Sequence, residues 1–90
     1  MGRLVELICD IGDHVYEIIS DDIGKEVCLD RYVVQDISIK AVKFCDEWKA
    51  LSLIDKSIFF NSDNANKAFQ EMNFSSKYTG YKFFINDNEV

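Results

Sequence analysis

The chain has 90 residues, 48% hydrophobic and 29% charged, with no Pro and a net charge of −6 from 16 acids against 10 Lys and Arg. Core-forming residues balance the charge, which excludes a disordered chain, and no run approaches the roughly 20 apolar residues of a membrane-spanning helix. An acidic total also argues against binding nucleic acid through its phosphates, which requires a surplus of Lys and Arg.

A single domain over 1–90 is expected, because a chain of this size buries roughly 60% of its unfolded surface around one modest core. Seven Phe, four Tyr and one Trp are available to fill it. The N-terminus lacks the basic region and long apolar stretch of a signal peptide, and Glu6 stands where a myristoylation signal has Ser or Thr, so a cytoplasmic location is expected. Cys9, Cys28 and Cys45 are odd in number and their spacing fits no zinc pattern. They read as buried thiols acting as small hydrophobes. His14 lies close to Cys9, but two ligands do not close a metal site, and neither a metal nor a cofactor is expected.

The charge sits in the first third. Residues 1–30 carry Glu6, Asp10, Asp13, Glu17, Asp21, Asp22, Glu26 and Asp30 against Arg3 and Lys25, a net of −6, whereas residues 31–90 carry eight charges of each sign. Residues 3–20 allow two readings. As a helix they put Leu4, Leu7, Ile8, Ile11, Val15, Ile18 and Ile19 on one side and Glu6, Asp10, Asp13 and Glu17 on the other. As a leader plus strand they use Gly12-Asp13 for a turn and Val15-Tyr16-Glu17-Ile18-Ile19 for the strand.

Asp21-Asp22-Ile23-Gly24 predicts a turn and Lys25 to Leu29 a short strand. From Tyr32 to Phe44 the chain is strand-like, but its apolar phase slips between Ile39 and Val42, which predicts a bulge or tight turn near Lys40-Ala41. Trp48, Leu51 and Ile54 suit either a helical face or an irregular strand. Asp55-Lys56 turns the chain into Ser57–Phe60. A helix over 61–72 follows, capped by Asn61 or Ser62, with Asp63 in its first turn and Ala65, Ala68, Phe69 and Met72 on one face. Beyond it Tyr78-Thr79-Gly80-Tyr81-Lys82-Phe83-Phe84-Ile85 predicts an aromatic edge strand.

The segments Ile11-Gly12-Asp13-x-Val15-Tyr16-x-Ile18, Val33-Val34-x-Asp36-Ile37 and Ile54-Asp55-Lys56-Ser57-Ile58-Phe59-Phe60-Asn61-x-x-x-Ala65-x-Lys67-Ala68-Phe69 resemble a broad group of small proteins encoded by phages and mobile elements of Gram-positive bacteria. The resemblance covers about residues 11–72 and implies an α+β fold: a small, strongly bent antiparallel sheet or SH3-like barrel with one packing helix. It also favours a strand after Asp13. The chain departs from the pattern at Asp55, where Gly is usual, and in the tail from Asn73 to Val90.

Catalysis is not expected, because no nucleophile–base pair, paired carboxylates across a pocket or phosphate-cradling loop is visible. Two classes of function stay open. One is a non-enzymatic binding module, an anti-CRISPR-type or similar inhibitor of a host nucleic-acid-binding protein. It would face a basic surface through Asp10, Asp13, Glu17, Asp21, Asp22 and Glu26, with Tyr81 and Phe83 of the last strand as a second contact or a homodimer edge. The other is a small-barrel module stacking a nucleotide or single-stranded nucleic acid on Tyr16, Tyr32, Trp48 and Tyr81, or a structural homo-oligomer subunit. A solvated acidic face that only keeps the protein soluble is the plain alternative to the first.

Overall fold

The computed structural model describes residues 9–86. Within them the chain is α+β. A long antiparallel hairpin pairs β1 (His14–Asp21) with β2 (Glu26–Val33). Three short strands follow: β3 (Asp36–Ile37), β4 (Ala41–Phe44) and β5 (Glu47–Ala50), then β6 (Ile58–Phe59), the helix α1 (Ser62–Asn73) and β7 (Lys82–Asn86). The strands form a four-stranded sheet in the order β6-β1-β2-β7 and a three-stranded sheet in the order β3-β4-β5.

The strand reading of the first third is the one realised from His14 onward, and the helical reading fails there. Gly12, at φ +96, allows the turn that Asp13 completes by accepting the Asp10 N–H on its carboxylate. Leu4, Glu6, Leu7 and Ile8 lie outside the described residues. The phase slip near Lys40-Ala41 is a tight turn: the Ser38 hydroxyl accepts from the N–H groups of Lys40 and Ala41, and Ser38 N–H donates to the Ala41 carbonyl. Trp48 takes its place in a strand, and Leu51 in a short 3-10 turn.

The helix forms as its capping residues predict. The Asn61 side-chain oxygen accepts from the backbone N–H groups of Asp63 and Asn64 at 2.8 and 3.1 Å. Ala65 and Phe69 are buried against Ile18, Val27, Leu29 and Phe59, with Ala68 and Met72 beside them. Phe69 meets Phe83 edge-on at 5.5 Å between ring centres.

Two corrections concern the sheet. It is not purely antiparallel, because β7 runs parallel to β2, and among the described residues the strands make two sheets and no closed barrel. The helix is the reason for the parallel pairing. β6 is antiparallel to β1 and therefore parallel to β2, so α1 carries the chain from one edge of the sheet to the other and returns it in the same direction.

The large sheet has two differently covered faces. On one, Ile18, Val27, Leu29 and Phe83 pack under α1. On the other, Val15, Tyr32 and Ile58 pack under the small sheet through Val42 and Phe44, with Cys9 and Val34 closing the cluster. Tyr32 and Phe44 stack at 5.3 Å. Of the thiols read as buried, Cys9 is buried, Cys28 is half-buried and Cys45 is exposed in a turn. Cys45 is the clear exception, because it occupies the two-residue β4–β5 loop with Asp46, both at positive φ.

Candidate functional site

Strand register decides what the second face presents beyond the small sheet. Directly opposed residues share a face. The pairs Glu17–Asp30, Ile19–Cys28 and Asp21–Glu26 therefore follow Val15–Tyr32 out along the hairpin. β7 extends each row: Asn86 beside Asp30, Phe84 beside Cys28, and Lys82 beside Glu26. The result is an apolar row, Ile19–Cys28–Phe84, lying between two rows that carry carboxylates. Ile19 is 43% and Phe84 44% exposed, so the small sheet stops short of this row.

The inner acidic row is tied into the protein. Asp30 is buried at 9% exposure and accepts from the Cys28 thiol at 2.9 Å and the Tyr32 hydroxyl at 3.0 Å. Those bonds stabilise the protonated donors. Burial, followed by the bond and charge of Asp30, pushes the Cys28 thiol from its ordinary 9.0 up to about 12. The same causes raise the Tyr32 phenol. Neither group is a nucleophile or acid at neutral pH; both act as donors that hold a carboxylate. Glu17 is raised as well, chiefly by burial, and the opposing effect of Lys49 does not cancel it. The Lys49 ammonium sits 3.7 Å from both Glu17 and Glu47, reaching over from β5.

The outer acidic row lies at the hairpin tip. Asp21 accepts from the N–H groups of Ile23 and Gly24 and so shapes the turn. Asp22 accepts from the Tyr81 hydroxyl at 2.8 Å, and the Lys25 ammonium lies 5.6 Å from the Tyr81 ring centre. Tyr81 thereby pins the tip to the segment entering β7. At the apex Ile23 is 98% exposed.

The structure separates the residues that the sequence groups together. Asp10 and Asp13 lie at the base of the hairpin, with Asp13 roughly 26 Å from Asp21 at about 3.3 Å per residue. Glu17 lies between them and the tip on the second face, while Asp21, Asp22 and Glu26 gather at the tip with Tyr81. Phe83 is half-buried: its ring packs under α1, and the parity of β7 gives Phe84 the outward position. Asp30, Ile19, Cys28 and Phe84 complete this face and are not among the contacts expected from sequence. Alternation in Glu17-x-Ile19-x-Asp21 and Glu26-x-Cys28-x-Asp30-x-Tyr32 carries their common face once both stretches are read as strands.

The aromatics considered for base stacking do not converge. Tyr16 lines a cleft of about 360 Å³ beside the start of α1 together with Arg31, Asn66 and Ile85. Tyr32 is stacked in the core, Trp48 lies on the small sheet, and Tyr81 is at the hairpin tip. Among the described residues no three His, Cys, Asp or Glu side chains are placed to hold a metal ion, and no helix is long and apolar enough to cross a membrane. Comparison with family models, curated proteins and solved structures finds no match to this chain.

Proposed function

We propose that this chain is a non-enzymatic binding module that presents the acidic β1–β2 hairpin to a basic surface on a partner protein. The observation that carries the reading is the pairing of like charges. At the hairpin tip, Asp21 faces Glu26 directly across the ladder, with Asp22 beside them. Opposed like charges destabilise a sheet by a few tenths to about 1 kcal/mol per pair. A basic partner relieves that repulsion on binding, so a cost to the free protein becomes affinity in the complex.

The natural target of such a surface is a groove that holds a polyanion, because carboxylates arrayed along a rigid hairpin can occupy sites built for phosphates. An inhibitor of a nucleic-acid-binding protein is the concrete form, an anti-CRISPR-type protein being one. The resemblance of residues 11–72 to phage and mobile-element proteins supports that form.

The test is capture from a Gram-positive lysate, with the bound fraction challenged by salt and by competing duplex DNA. A basic nucleic-acid-binding protein released by both supports the proposal. The Asp22→Asn/Glu26→Gln variant keeps an acceptor for Tyr81 while removing charge, and it should lose that capture without losing its melting transition. Undiminished capture by this variant would sink the electrostatic reading.

A further inference from the structure

β7 is an edge of the large sheet: β2 pairs with it on one side, and among the described residues no strand lies on the other. One hydrogen bond fixes which of its backbone groups face away. The Lys82 N–H donates to the Lys25 carbonyl at 2.9 Å, so the backbone groups of Lys82, Phe84 and Asn86 point towards β2. Alternation along a strand then turns the N–H and C=O groups of Phe83 and Ile85 away from β2, along the open edge. Sheet edges are normally guarded by central charges, Pro or a bulge. β7 has no Pro and no residue at positive φ, and its one charge is Lys82 at the first position. Phe84 on one face is 44% exposed and Ile85 on the other 55%. α1 packs mainly over β1 and β6, on the far side of the sheet, and leaves this edge open.

From this arrangement we infer that β7 pairs antiparallel with β7 of a second copy, about a two-fold axis at Phe84, so that the four strands of each large sheet join into one sheet. The inference is separate from the acidic-surface reading and stands or falls without it. The edge is complementary to itself. With Phe84 opposite its own copy, Phe83 lies opposite Ile85 of the second copy, and Ile85 opposite its Phe83. Those are the residues whose backbone groups face away from β2, so each of these pairs exchanges both of its N–H···O bonds. Phe84 then occupies the non-hydrogen-bonded position, where opposed Cα atoms lie about 4.5 Å apart and side chains come closest. The two rings meet across the axis as an aromatic pair. Lys82 falls opposite the neutral Asn86, so no like charges oppose each other. Moving the axis to Lys82 would instead set ammonium against ammonium.

Strand direction also suits the charge of the protein. β7 starts beside Glu26 at the hairpin tip and ends beside Asp30. Antiparallel pairing therefore sends the two acidic tips to opposite ends of the joined sheet, where their repulsion is screened by distance and salt. An unrelated strand would satisfy the edge through its backbone alone, whereas a second copy also matches each side-chain position.

Sedimentation equilibrium of the full chain over a concentration series tests the pairing. The mass should rise from 10.4 kDa towards twice that value. Ile85→Pro removes an N–H that faces away from β2 and costs the sheet no bond of its own. Phe84→Lys sets two ammonium groups against each other on the axis. Each should weaken the dimer at least about tenfold while keeping a cooperative melting transition by far-UV circular dichroism. Because a residue on a two-fold axis meets itself, Phe84→Glu alone should fail in the same way, and an equimolar mixture of Phe84→Lys and Phe84→Glu should regain the dimer. The Phe84 side chain is partly exposed, so this charge pair carries the test even if Ile85→Pro unfolds. A chain that stays at 10.4 kDa at every concentration overturns the inference. So does a dimer that the Phe84 variants leave unchanged, or a mixture that associates no more tightly than either variant alone.

Discussion

Removing one oxygen atom tests how the inner acidic row is held. Tyr32→Phe deletes the hydroxyl that donates to Asp30 at 3.0 Å but keeps the ring that stacks on Phe44 at 5.3 Å. Hydrogen bonds to charged groups contribute about 1.5–3 kcal/mol, and the half-buried position of Tyr32 places it at the lower end, about 1.5 kcal/mol. With an unfolding entropy of about 2.1 cal/mol/K per residue, a chain of 90 residues should lose roughly 8 °C of Tm. Thermal melting followed by far-UV circular dichroism reads the shift.

The pH dependence gives a second, independent readout. The folded protein raises the Tyr32 phenol above its ordinary 10.0, through burial first and then Asp30. The stability this provides is complete below pH 10.0 and is lost as pH climbs through the raised value. The variant has no such group, so the gap between wild type and Tyr32→Phe should narrow above pH 10.0. A Tm loss under about 2 °C, or a gap that stays constant at alkaline pH, would refute the assignment of Tyr32 as a holding donor.

Three further outcomes follow from particular residues. Asn61→Ala removes the acceptor shared by the N–H groups of Asp63 and Asn64, and should cost about 1 kcal/mol in urea denaturation. Cys45→Asn should stabilise the protein by about 0.5 kcal/mol, because Cys45 sits at φ 51 beside Asp46 at φ 59 in a two-residue hairpin loop that favours Asn. Glu17→Gln should alter the pH profile in a set direction. Burial raises the Glu17 pKa above 4.5, so its stabilising contribution is present below that value and fades as pH rises through the raised one. The variant should therefore gain on wild type as pH rises from 4.5 through the raised value, and urea midpoints that run parallel over this rise would count against the buried placement of Glu17.

Local signals in this chain are strong wherever neighbours in sequence interact. Asn61 capping Asp63 and Asn64, the Ala65–Ala68–Phe69–Met72 face and the turn at Asp21–Gly24 are all contained within a few residues, and each is legible before any coordinate. Asp55 reaches φ 64, the left-handed conformation that its place in a Gly-type turn requires. The hairpin pattern of the first third was ambiguous because the same apolar spacing fits period 3.6 over 3–20 and a strand from His14. Pairing with β2 settles it, and pairing is a long-range event.

What the sequence determined by itself is the concentration of charge in residues 1–30, the one capped helix and the strand-rich middle. Those follow from composition and from contacts a few residues apart. The tertiary structure alone decided that β7 lies parallel to β2, that Phe83 turns inward and Phe84 outward, and that two carboxylate rows bracket an apolar one. Strand direction and cross-strand register carry no local periodicity. They are set by the helix that carries the chain across the sheet, and by which face each core cluster claims.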